Sequence, residues 1–303
     1  MNAIARNMGL GASDAAAAVG LSKWKTPFQL WREKTGKTPA NDDSFEAEAL
    51  HLEMGKALEP IAIARFERKE KLTVTDKQVQ VVDPAWPTRW VTLDGRASDG
   101  GLVEAKSVGF ADPAEWGDEF VDGAIPLIYL LQTQHALACC PEASHAWVPV
   151  IVLNREFRVY RVQRDEELIA MLTAKERAFW QHVVDLVPPP PISAADAYEQ
   201  WPQDSGGIVT ADADTAAAVV KYATAKAKVK AAEMDADLAK HSITSFMREN
   251  STLLAADGKP LITWKTAKGS TKVDVGKMRE AHPAIVKAFE FTEPGSRRML
   301  IKS

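Results

Sequence analysis

The sequence predicts a mixed α/β fold in which helices flank a central sheet. Segments with a helical spacing of apolar residues alternate along the chain with segments in which apolar and polar residues alternate. Four consecutive prolines at 188–191 then end the last of these segments, because proline cannot continue a helix. We therefore expect a core at 1–187, a proline-rich linker at 188–210 and a C-terminal extension at 211–303.

Composition places the chain among ordinary globular proteins. Of its 303 residues, 46% are hydrophobic and 26% are charged, which is enough apolar material for a sizeable core. No apolar run is long enough to cross a membrane, and the first residues contain no apolar stretch of signal-peptide length. Cys139 and Cys140 are adjacent in an apolar segment, which predicts buried, reduced thiols and a cytoplasmic location.

The helices of the core are marked by their ends and by their apolar stripes. Ser13 or Asp14 can cap a short helix that ends near Gly20. Pro27 suits the first turn of a second helix, which ends at Gly36. Three longer helices are predicted over residues 45–70, 125–140 and 165–184.

Alternation predicts the strands. In the core they are expected at 72–82, in a hairpin at 91–108, and in a pair at 145–154 and 155–163. Beyond the linker, the alanine- and lysine-rich residues 211–248 predict one long helix or a helical hairpin. The rest is predicted as a small hairpin, a short helix and a final strand, at 257–275, 276–289 and 296–303.

The hairpin "VTLDGRASDGGLVEAKSV" at 91–108 holds a dense charge pattern. Its turn signal, Ser98 to Gly101, predicts that Glu104 lies opposite Gly95. Asp99 is at the tip, and at ~3.3 Å per strand residue it is roughly 15 Å from Glu104 along the arm. Asp99 is therefore expected to be a turn residue and not a ligand.

Three other charged side chains of this hairpin can meet. Glu104 and Lys106 are two residues apart and point to one face of the strand. In the expected register Asp94 points to the other face, unless a bulge at Gly95 redirects it. Two carboxylates suit a hard cation such as Mg²⁺, and a lysine beside them can hold a water for attack on a phosphate. So short a pattern often occurs by chance among solvated surface charges, and both interpretations stay open on this segment alone.

Four further segments carry a resemblance to known motifs, beside the one in this hairpin. They are "RNMGLGASDAAAAVGLSKWKTPFQLWREKTG", "MGKALEPIAIARFE", "IPLIYLLQTQHAL" and "REFRVYRVQRDEELIAMLTAKERAFW". With the hairpin, and in this order over roughly residues 6–184, they resemble the phage lambda exonuclease-like, YqaJ-type viral recombinase nucleases. That family belongs to the PD-(D/E)XK superfamily. The resemblance implies a restriction-endonuclease-like core with a mostly helical C-terminal extension.

The resemblance also implies a role for each matching residue of the site. Asp94 and Glu104, together with the backbone carbonyl of Ala105, would bind the metal. Glu59 would help to position a second metal or its waters. Lys106 would orient the attacking water.

Further matches lie outside the hairpin. Gln134 or Gln132 would hold the metal-bound water or the phosphate from the following helix. Residues two apart face different sides of a helix, so only one of them can point into the site, and we expect Gln134. Arg6 and Ser13 match positions that receive the 5′-terminal phosphate, for which an arginine fork and a serine at a helix start are suited. We expect the neighbouring His135 to be a packing or surface residue.

The activity that the resemblance implies is Mg²⁺-dependent 5′–3′ exonuclease action on linear double-stranded DNA, with Mn²⁺ able to substitute. The 3′ overhangs would serve a single-strand annealing recombinase in phage-type homologous recombination. The enzyme would be phage- or prophage-encoded, act in a bacterial cytoplasm without a membrane partner, and form a homo-oligomeric ring such as a trimer. A ring accommodates the net charge of −4, because basic residues need line only its channel. The alternatives are a non-catalytic DNA-binding or assembly protein on the same fold, and an endonuclease or single-strand nuclease.

Overall fold

A computed structural model of the chain describes residues 8–37, 45–109, 115–122, 124–152, 156–292 and 295–301. The chain divides into two compact units, Met1–Trp201 and Pro202–Ser303. The first unit extends beyond residue 187 because a helix within the expected linker packs on it. Asp196 of that helix is buried, and it accepts a hydrogen bond from the Thr26 hydroxyl at 2.8 Å.

The first unit contains two mixed sheets in its described part. One has the strand order β1-β4-β3, and the other has the order β2-β5-β6-β8-β7 with β9 paired to β8. Strand β1 pairs parallel with β4, and β6 and β7 pair parallel with β8, while the other pairs are antiparallel. The strands are β1 (Leu10–Gly11), β2 (Val74–Thr75), β3 (Val79–Val82), β4 (Arg89–Leu93), β5 (Gly95–Ala97), β6 (Leu102–Val103), β7 (Lys106–Val108), β8 (His145–Val152) and β9 (Glu156–Gln163).

The helices of this unit cover the sheets, which confirms the predicted mixed α/β class. They are α1 (Ala15–Ala18), α2 (Pro27–Lys34), α3 (Phe45–Glu70), α4 (Leu127–Cys139), α5 (Glu166–Val184) and α6 (Ala194–Gln200), and a 3₁₀ helix spans Ala12–Asp14. Phe66 of α3 packs in a cluster with Val103, while Leu137 of α4 packs in another with Leu102. Because successive strand residues point to opposite faces, α3 and α4 cover opposite faces of β6. No helix in the described ranges is both long enough and apolar enough to span a bilayer.

The predicted strand at 72–82 is two strands in different sheets. Strand β2 pairs with β5 and strand β3 pairs with β4, so both chain segments pass from one sheet to the other side by side. On the first segment the change occurs at Asp76 and Gln78, whose φ angles are 50° and 59°. On the second segment it occurs at Asp94, between Leu93 and Gly95. This bend places Asp94 where two sheets meet.

A buried network of charged side chains connects the sheet to the helices behind it. Arg89 donates to Asp83 at 2.7 Å and 2.9 Å, to the Thr173 hydroxyl at 2.7 Å, and to Glu176 at 3.3 Å. The other Glu176 oxygen lies 2.7 Å from Nδ1 of His135. His135 is therefore a packing residue, as expected, and it is fully buried.

Stability is predicted to fall at alkaline pH because of His135. Burial by itself would lower the pKa of His135, but the Glu176 carboxylate outweighs it and raises the pKa to about 10. An unfolded histidine has a pKa of about 6.5, so the contribution is complete below that pH and is lost as the pH rises through about 10. Urea unfolding at a series of pH values should show this decline. The variant His135→Gln should show a smaller slope, and equal slopes in both proteins would contradict the charged His135.

The second unit consists of helices and a small hairpin. It contains α7 (Ala213–Met247), β10 (Thr252–Leu254), β11 (Pro260–Thr263), α8 (Val275–Ala281) and α9 (Pro283–Ala288). The hairpin lies earlier than predicted, and the predicted helix at 276–289 is two helices because Pro283 starts a new one. The predicted strand at 296–303 is wrong for residues 296–301, which form no strand, while the last two residues lie outside the described part.

Candidate active site

Asp94 and Glu104 meet because of the strand register. In the structure Gly95 pairs with Val103, one residue away from the predicted pairing with Glu104. The same register carried one step further sets Asp94 beside Glu104, so both point to one face without the predicted bulge. The backbone N–H of Ala105 donates to Oδ2 of Asp94 at 2.9 Å and holds the carboxylate in place.

Gly95 allows the close approach of strands that positions Asp94. A Cβ atom at this position would lie 2.2 Å from Cγ1 of Val74 and 3.3 Å from the carbonyl oxygen of Thr75. The first contact is impossible unless the Val74 side chain shifts, and the second is tighter than is usual for a carbon atom in a packed sheet. Any side chain at Gly95 would therefore disturb the packing of Val74 beside Asp94.

Glu104, Lys106 and Gln132 form a hydrogen-bonded triangle. The Lys106 ammonium donates to Oε1 of Glu104 at 2.7 Å and to Oε1 of Gln132 at 3.0 Å. The Gln132 amide donates to the same Glu104 oxygen at 2.6 Å. Burial by itself would lower the pKa of Lys106, but the charges of Glu104 and Asp94 raise it above its ordinary value. Lys106 is therefore a fixed cation beside two carboxylates.

The carboxyl groups of the site repel one another. Burial, together with repulsion from the nearby Glu104 and Glu59 carboxylates, raises the pKa of Asp94 to about 8, and Lys106 and the Ala105 N–H only partly offset this rise. A divalent cation would remove this repulsion, so the donor set fits a hard metal ion. Among the described residues, no three His, Cys, Asp or Glu side chains converge closely enough to hold a metal by themselves. Carbonyl oxygen and water would have to complete the coordination, as Mg²⁺ commonly accepts.

Glu59 lies at the edge of this group. It is on α3, and its Oε1 accepts a hydrogen bond from the Gln78 amide at 2.6 Å. The backbone N–H of Gln78 donates to the carbonyl of Leu93 at 2.8 Å, one residue before Asp94. Gln78 therefore links the Glu59 carboxylate to the bend that carries Asp94.

Asp99 is a turn residue, as predicted. Its Oδ1 accepts from the Gly101 N–H at 3.0 Å, and its Oδ2 lies 3.0 Å from Nε1 of Trp147 and 3.1 Å from Nε2 of His145. These contacts fix the hairpin tip against β8. Asp99 takes no part in the Glu104 group.

The expectation that Gln134 faces the site is corrected by its contacts. Gln134 is buried, its amide donates to the Gln163 carbonyl at 2.7 Å, and its side-chain oxygen accepts from the Asp165 N–H at 3.1 Å. It joins the end of β9 to the start of α5. Gln132, two residues earlier and on a different side of α4, is the one that reaches Glu104 and Lys106.

The two residues expected at the 5′-phosphate are placed differently. Arg6 lies outside the described residues. Ser13 is exposed in the 3₁₀ helix, which is anchored because the Asp14 carboxylate accepts from the Gly11 N–H at 3.1 Å and the Lys34 ammonium at 2.6 Å. Parallel strands end at the same edge of a sheet, and β1 runs parallel to β4. Ser13 follows β1 and Asp94 follows β4, so both lie in the same direction along the sheet, with β1 ending level with Trp90, four residues before Asp94.

Comparison with known proteins finds a family profile that matches part of the first unit. A profile of the YqaJ-like viral recombinase domain matches residues 3–143. Residues 3–143 are therefore similar to that domain, and we refer to them as the YqaJ-like domain. The YqaJ-like domain contains Asp94, Glu104, Lys106 and Gln132, so the whole triangle and its neighbouring carboxylate lie within the matched segment.

Similar proteins include one curated relative and several solved structures. The uncharacterised protein YqaJ of Bacillus subtilis (strain 168) is 32% identical over 200 residues, which is 65% of this chain and 60% of the relative. The chain thus spans 60% of the length of this curated relative. The alkaline exonuclease LHK-Exo from Laribacter hongkongensis has a TM-score of 0.48 and 20% identity, over 60% of this chain and 91% of that one. A phage-related exonuclease from Haemophilus somnus 129PT has a TM-score of 0.43 and 12% identity, over 59% and 95%.

Two aromatic residues at the site of the YqaJ-like domain were not predicted from sequence. The Lys106 ammonium lies 5.1 Å from the centre of the Tyr129 ring, and Trp116 stacks on Tyr129 at 5.2 Å. A cation over a ring face is attracted by its quadrupole, so Tyr129 is a third support for Lys106. The signal in the sequence was the spacing, because Tyr129 precedes Gln132 by three residues and shares its side of α4.

The two glutamines of α4 are predicted to differ in what their loss affects. Gln132→Ala removes a support of both Glu104 and Lys106, and should slow the YqaJ-like domain's reaction by roughly 10–100-fold, the range for an outer-sphere partner. Gln134→Ala removes the two hydrogen bonds that the buried Gln134 makes to the Gln163 carbonyl and the Asp165 N–H, and should lower the free energy of unfolding by about 1–3 kcal/mol. Rates and urea unfolding curves of both variants test this. The opposite pattern would return Gln134 to the site.

Proposed function

We propose that the YqaJ-like domain is a metal-dependent nuclease that degrades the 5′-ended strand of linear double-stranded DNA. The observation that supports this proposal most directly is the meeting of Asp94, Glu104 and Lys106, which combines two carboxylates with a fixed ammonium group. Hydrolysis of a phosphodiester needs a nucleophilic water and positive charge beside the phosphate. The two carboxylates can bind a metal that activates the water, and the ammonium group supplies positive charge beside the phosphate.

The residues that would hold the metal are Asp94, Glu104 and the backbone carbonyl of Ala105. Mg²⁺ is the proposed metal, and Mn²⁺ should substitute because oxygen ligands suit both ions. When bound, such a metal would lower the pKa of a coordinated water and offset the charge of the phosphate. Glu59 would orient further waters from its place beside the bend.

Lys106 is proposed to act on the attacking water and on the phosphate. Its ammonium group has a defined direction because Glu104 and Gln132 both bind it. A cation held in advance needs no reorganisation when negative charge develops on the phosphate oxygens. In the reaction the water oxygen bonds to phosphorus, and the bond from phosphorus to the sugar oxygen of the leaving group breaks.

A 5′-phosphate is proposed to bind near Ser13 and Arg6. Ser13 is exposed and follows β1, which runs parallel to the strand that leads to Asp94, and an arginine fork matches the geometry of a phosphate. Anchoring the terminal phosphate there would set which phosphodiester reaches Lys106. This arrangement would give the enzyme its requirement for a DNA end.

The proposal extends to the enzyme's partners. The product would be a duplex with a 3′ single-stranded overhang, which is the substrate of a single-strand annealing recombinase. With a net charge of −4, the protein would have to hold DNA on a local basic surface, and a homo-oligomeric ring such as a trimer would provide one. The description of the matching profile as a viral recombinase domain supports a phage or prophage origin, and a bacterial cytoplasmic setting is proposed with it.

Labelled duplexes test the substrate and the polarity. Incubation with Mg²⁺ should shorten the 5′-phosphorylated strand of a linear duplex and leave the 3′-ended strand intact, while a closed circular duplex survives. Removal of the 5′-phosphate should slow the reaction. Cutting of the closed circle would establish an endonuclease, and loss of the 3′-ended strand would reverse the polarity.

A further inference from the structure

Helix α7 is the most exposed long element of the described chain. Its 35 residues, Ala213–Met247, extend about 52 Å at 1.5 Å per residue. The Asp212 carboxylate caps its start by accepting from the Thr215 N–H at 2.8 Å. Every residue from 213 to 242 is exposed except the half-buried Ala223. Within the part of the chain that the structure describes, most of this helix therefore contacts solvent.

Nine residues of α7 follow a seven-residue repeat, and four other exposed apolar residues of the helix, Val219, Val220, Met234 and Leu238, lie outside it. One set, separated by seven each time, contains larger side chains in three of its four positions. The second set is offset from the first by three and four residues, and four of its five members are alanine. The first set is Tyr222, Val229, Ala236 and Ile243, and the second is Ala218, Ala225, Ala232, Ala239 and Phe246.

This pattern is that of a coiled-coil seam. Apolar residues spaced alternately by three and four keep a stripe facing a partner helix over several turns. A repeat of seven that persists over four heptads favours a left-handed pair of helices over a solvated single helix. We refer to these nine residues as the seam. Exposed side chains on it include Tyr222 at 43% and Phe246 at 75%.

We infer that α7 pairs with α7 of a second copy of this chain in antiparallel orientation. In the register centred between residues 230 and 231, each large side chain of the first set meets an alanine of the other helix. Tyr222 meets Ala239 of the second copy, and Val229 meets Ala232 of the second copy. Ile243 likewise meets Ala218 of the second copy. Large side chains face small ones in these three layers, while Ala236 meets Ala225 of the second copy in the fourth, so the two backbones can approach closely.

Charges beside the seam match the same register. Lys228 faces Asp235 of the second copy, and Lys226 faces Glu233 of the second copy. Two-fold symmetry repeats both pairs, so four attractive pairs flank the seam with no like-charged pair among them. Residues that flank a coiled-coil seam set partner choice and orientation in this way. The lysine-rich first half of α7 thus complements its acidic second half.

A parallel pair would fit less well. It would set Tyr222 against Tyr222 and Ala232 against Ala232 of the second copy, which crowds one layer and leaves a gap in another. The parallel pair would keep attractive contacts of Lys228 with Glu233 and of Asp235 with Lys240 of the second copy, but it would also place Lys221 beside Lys226, a repulsive contact that the antiparallel pair lacks. Packing and charge therefore favour the same, antiparallel orientation.

Engineered disulfides test this register in the full chain. The variant Tyr222→Cys/Ala239→Cys should give a covalent dimer after mild oxidation, because the two cysteines meet across the pair. Within one helix these positions are 17 residues apart, about 25 Å, and cannot join. The single variant Tyr222→Cys should remain monomeric on a denaturing gel. The wild-type chain is the control, since Cys139 and Cys140 are buried.

Reversing the charges that flank the seam is a second test of the pairing. In the double-cysteine background, Lys226→Glu with Lys228→Glu should reduce the covalent dimer several-fold, and adding Glu233→Lys with Asp235→Lys should restore it. Circular dichroism would verify that helix content is retained in each variant. A dimer from single Tyr222→Cys would establish the parallel pair and overturn the inference. The pairing would also be contradicted if the double-cysteine variant formed no covalent dimer, or if reversing all four charges did not restore the dimer.

The readout does not depend on nuclease activity. A ring formed through the first unit would bring copies together, but it would not select the pairing of residue 222 with residue 239. If the lysines of α7 instead bind DNA phosphates, reversing all four charges should fail to restore the cross-link. Pairing of α7 can therefore be contradicted while the proposed nuclease function is not, and the reverse also holds.

Discussion

Replacing Lys106 by alanine is expected to lower the rate of DNA cleavage by about 10²–10³-fold, the loss typical of one preorganised charge stabiliser. The Lys106 ammonium is the only cation that hydrogen bonds to Glu104 in the described part of the chain. Its loss removes the positive charge beside the phosphate, while the carboxylates that would hold the metal remain. Initial rates on a 5′-phosphorylated linear duplex at saturating Mg²⁺ measure the effect.

Glu104→Gln should lower the rate of DNA cleavage at least as much as Lys106→Ala does, for a different reason. The amide keeps the shape of the side chain but loses the negative charge, so metal affinity should fall together with the rate. The matched control is Lys175→Ala, which removes an exposed charge on α5 and should leave the rate within two-fold. If either site variant cut DNA as fast as the wild-type protein, Lys106 and Glu104 would have no part in the reaction.

Replacing Glu176 by alanine is expected to lower the free energy of unfolding by about 3–5 kcal/mol. Glu176 is fully buried and binds Arg89 with one oxygen and His135 with the other. Its removal leaves a guanidinium and an imidazolium in the core with part of their counter-charge missing. Breaking a buried ion pair costs more than the pair itself contributes, because the remaining charge is desolvated without compensation.

Urea unfolding monitored by tryptophan fluorescence measures this loss. Glu167→Ala is the matched control, because Glu167 is on the same helix but exposed, and its change should stay within about 0.5 kcal/mol. Glu176→Gln, which keeps the hydrogen-bonding shape, should fall between the two. Equal stability of Glu176→Ala and Glu167→Ala would show that the network contributes nothing to folding.

The sequence predicted the elements of the core well where periodicity was long. The helix at 45–70 and the strand pair ending at 163 agree with α3 and with β8 and β9. It did not predict the bend at Asp76 and Gln78, because positive φ angles at such residues depend on what the neighbouring strand needs. The second unit was predicted less well. Pro283 splits one expected helix in two. The residues expected to form the last strand pair with no other strand in the described part of the chain.

The site shows what pattern alone leaves open. The types of Asp94, Glu104 and Lys106 and their spacing were enough to bring them together. The pairing register of the two strands could not be predicted in the same way, because a turn signal locates the pairing only to within about one residue. A shift of one residue moves each side chain to the opposite face of the sheet. The choice between Gln132 and Gln134 depended on how α4 is rotated against the sheet. That rotation is set by packing of residues such as Leu137, which are distant in sequence from the hairpin.

The most direct measurement is nucleotide release from a linear 5′-phosphorylated duplex by the purified full chain, with and without Mg²⁺. We predict steady release of nucleotides in the presence of Mg²⁺, and none when the ion is chelated. Binding of the duplex with no release at any Mg²⁺ or Mn²⁺ concentration would contradict the assignment. Asp94, Glu104 and Lys106 would then belong to a DNA-binding protein that does not cut.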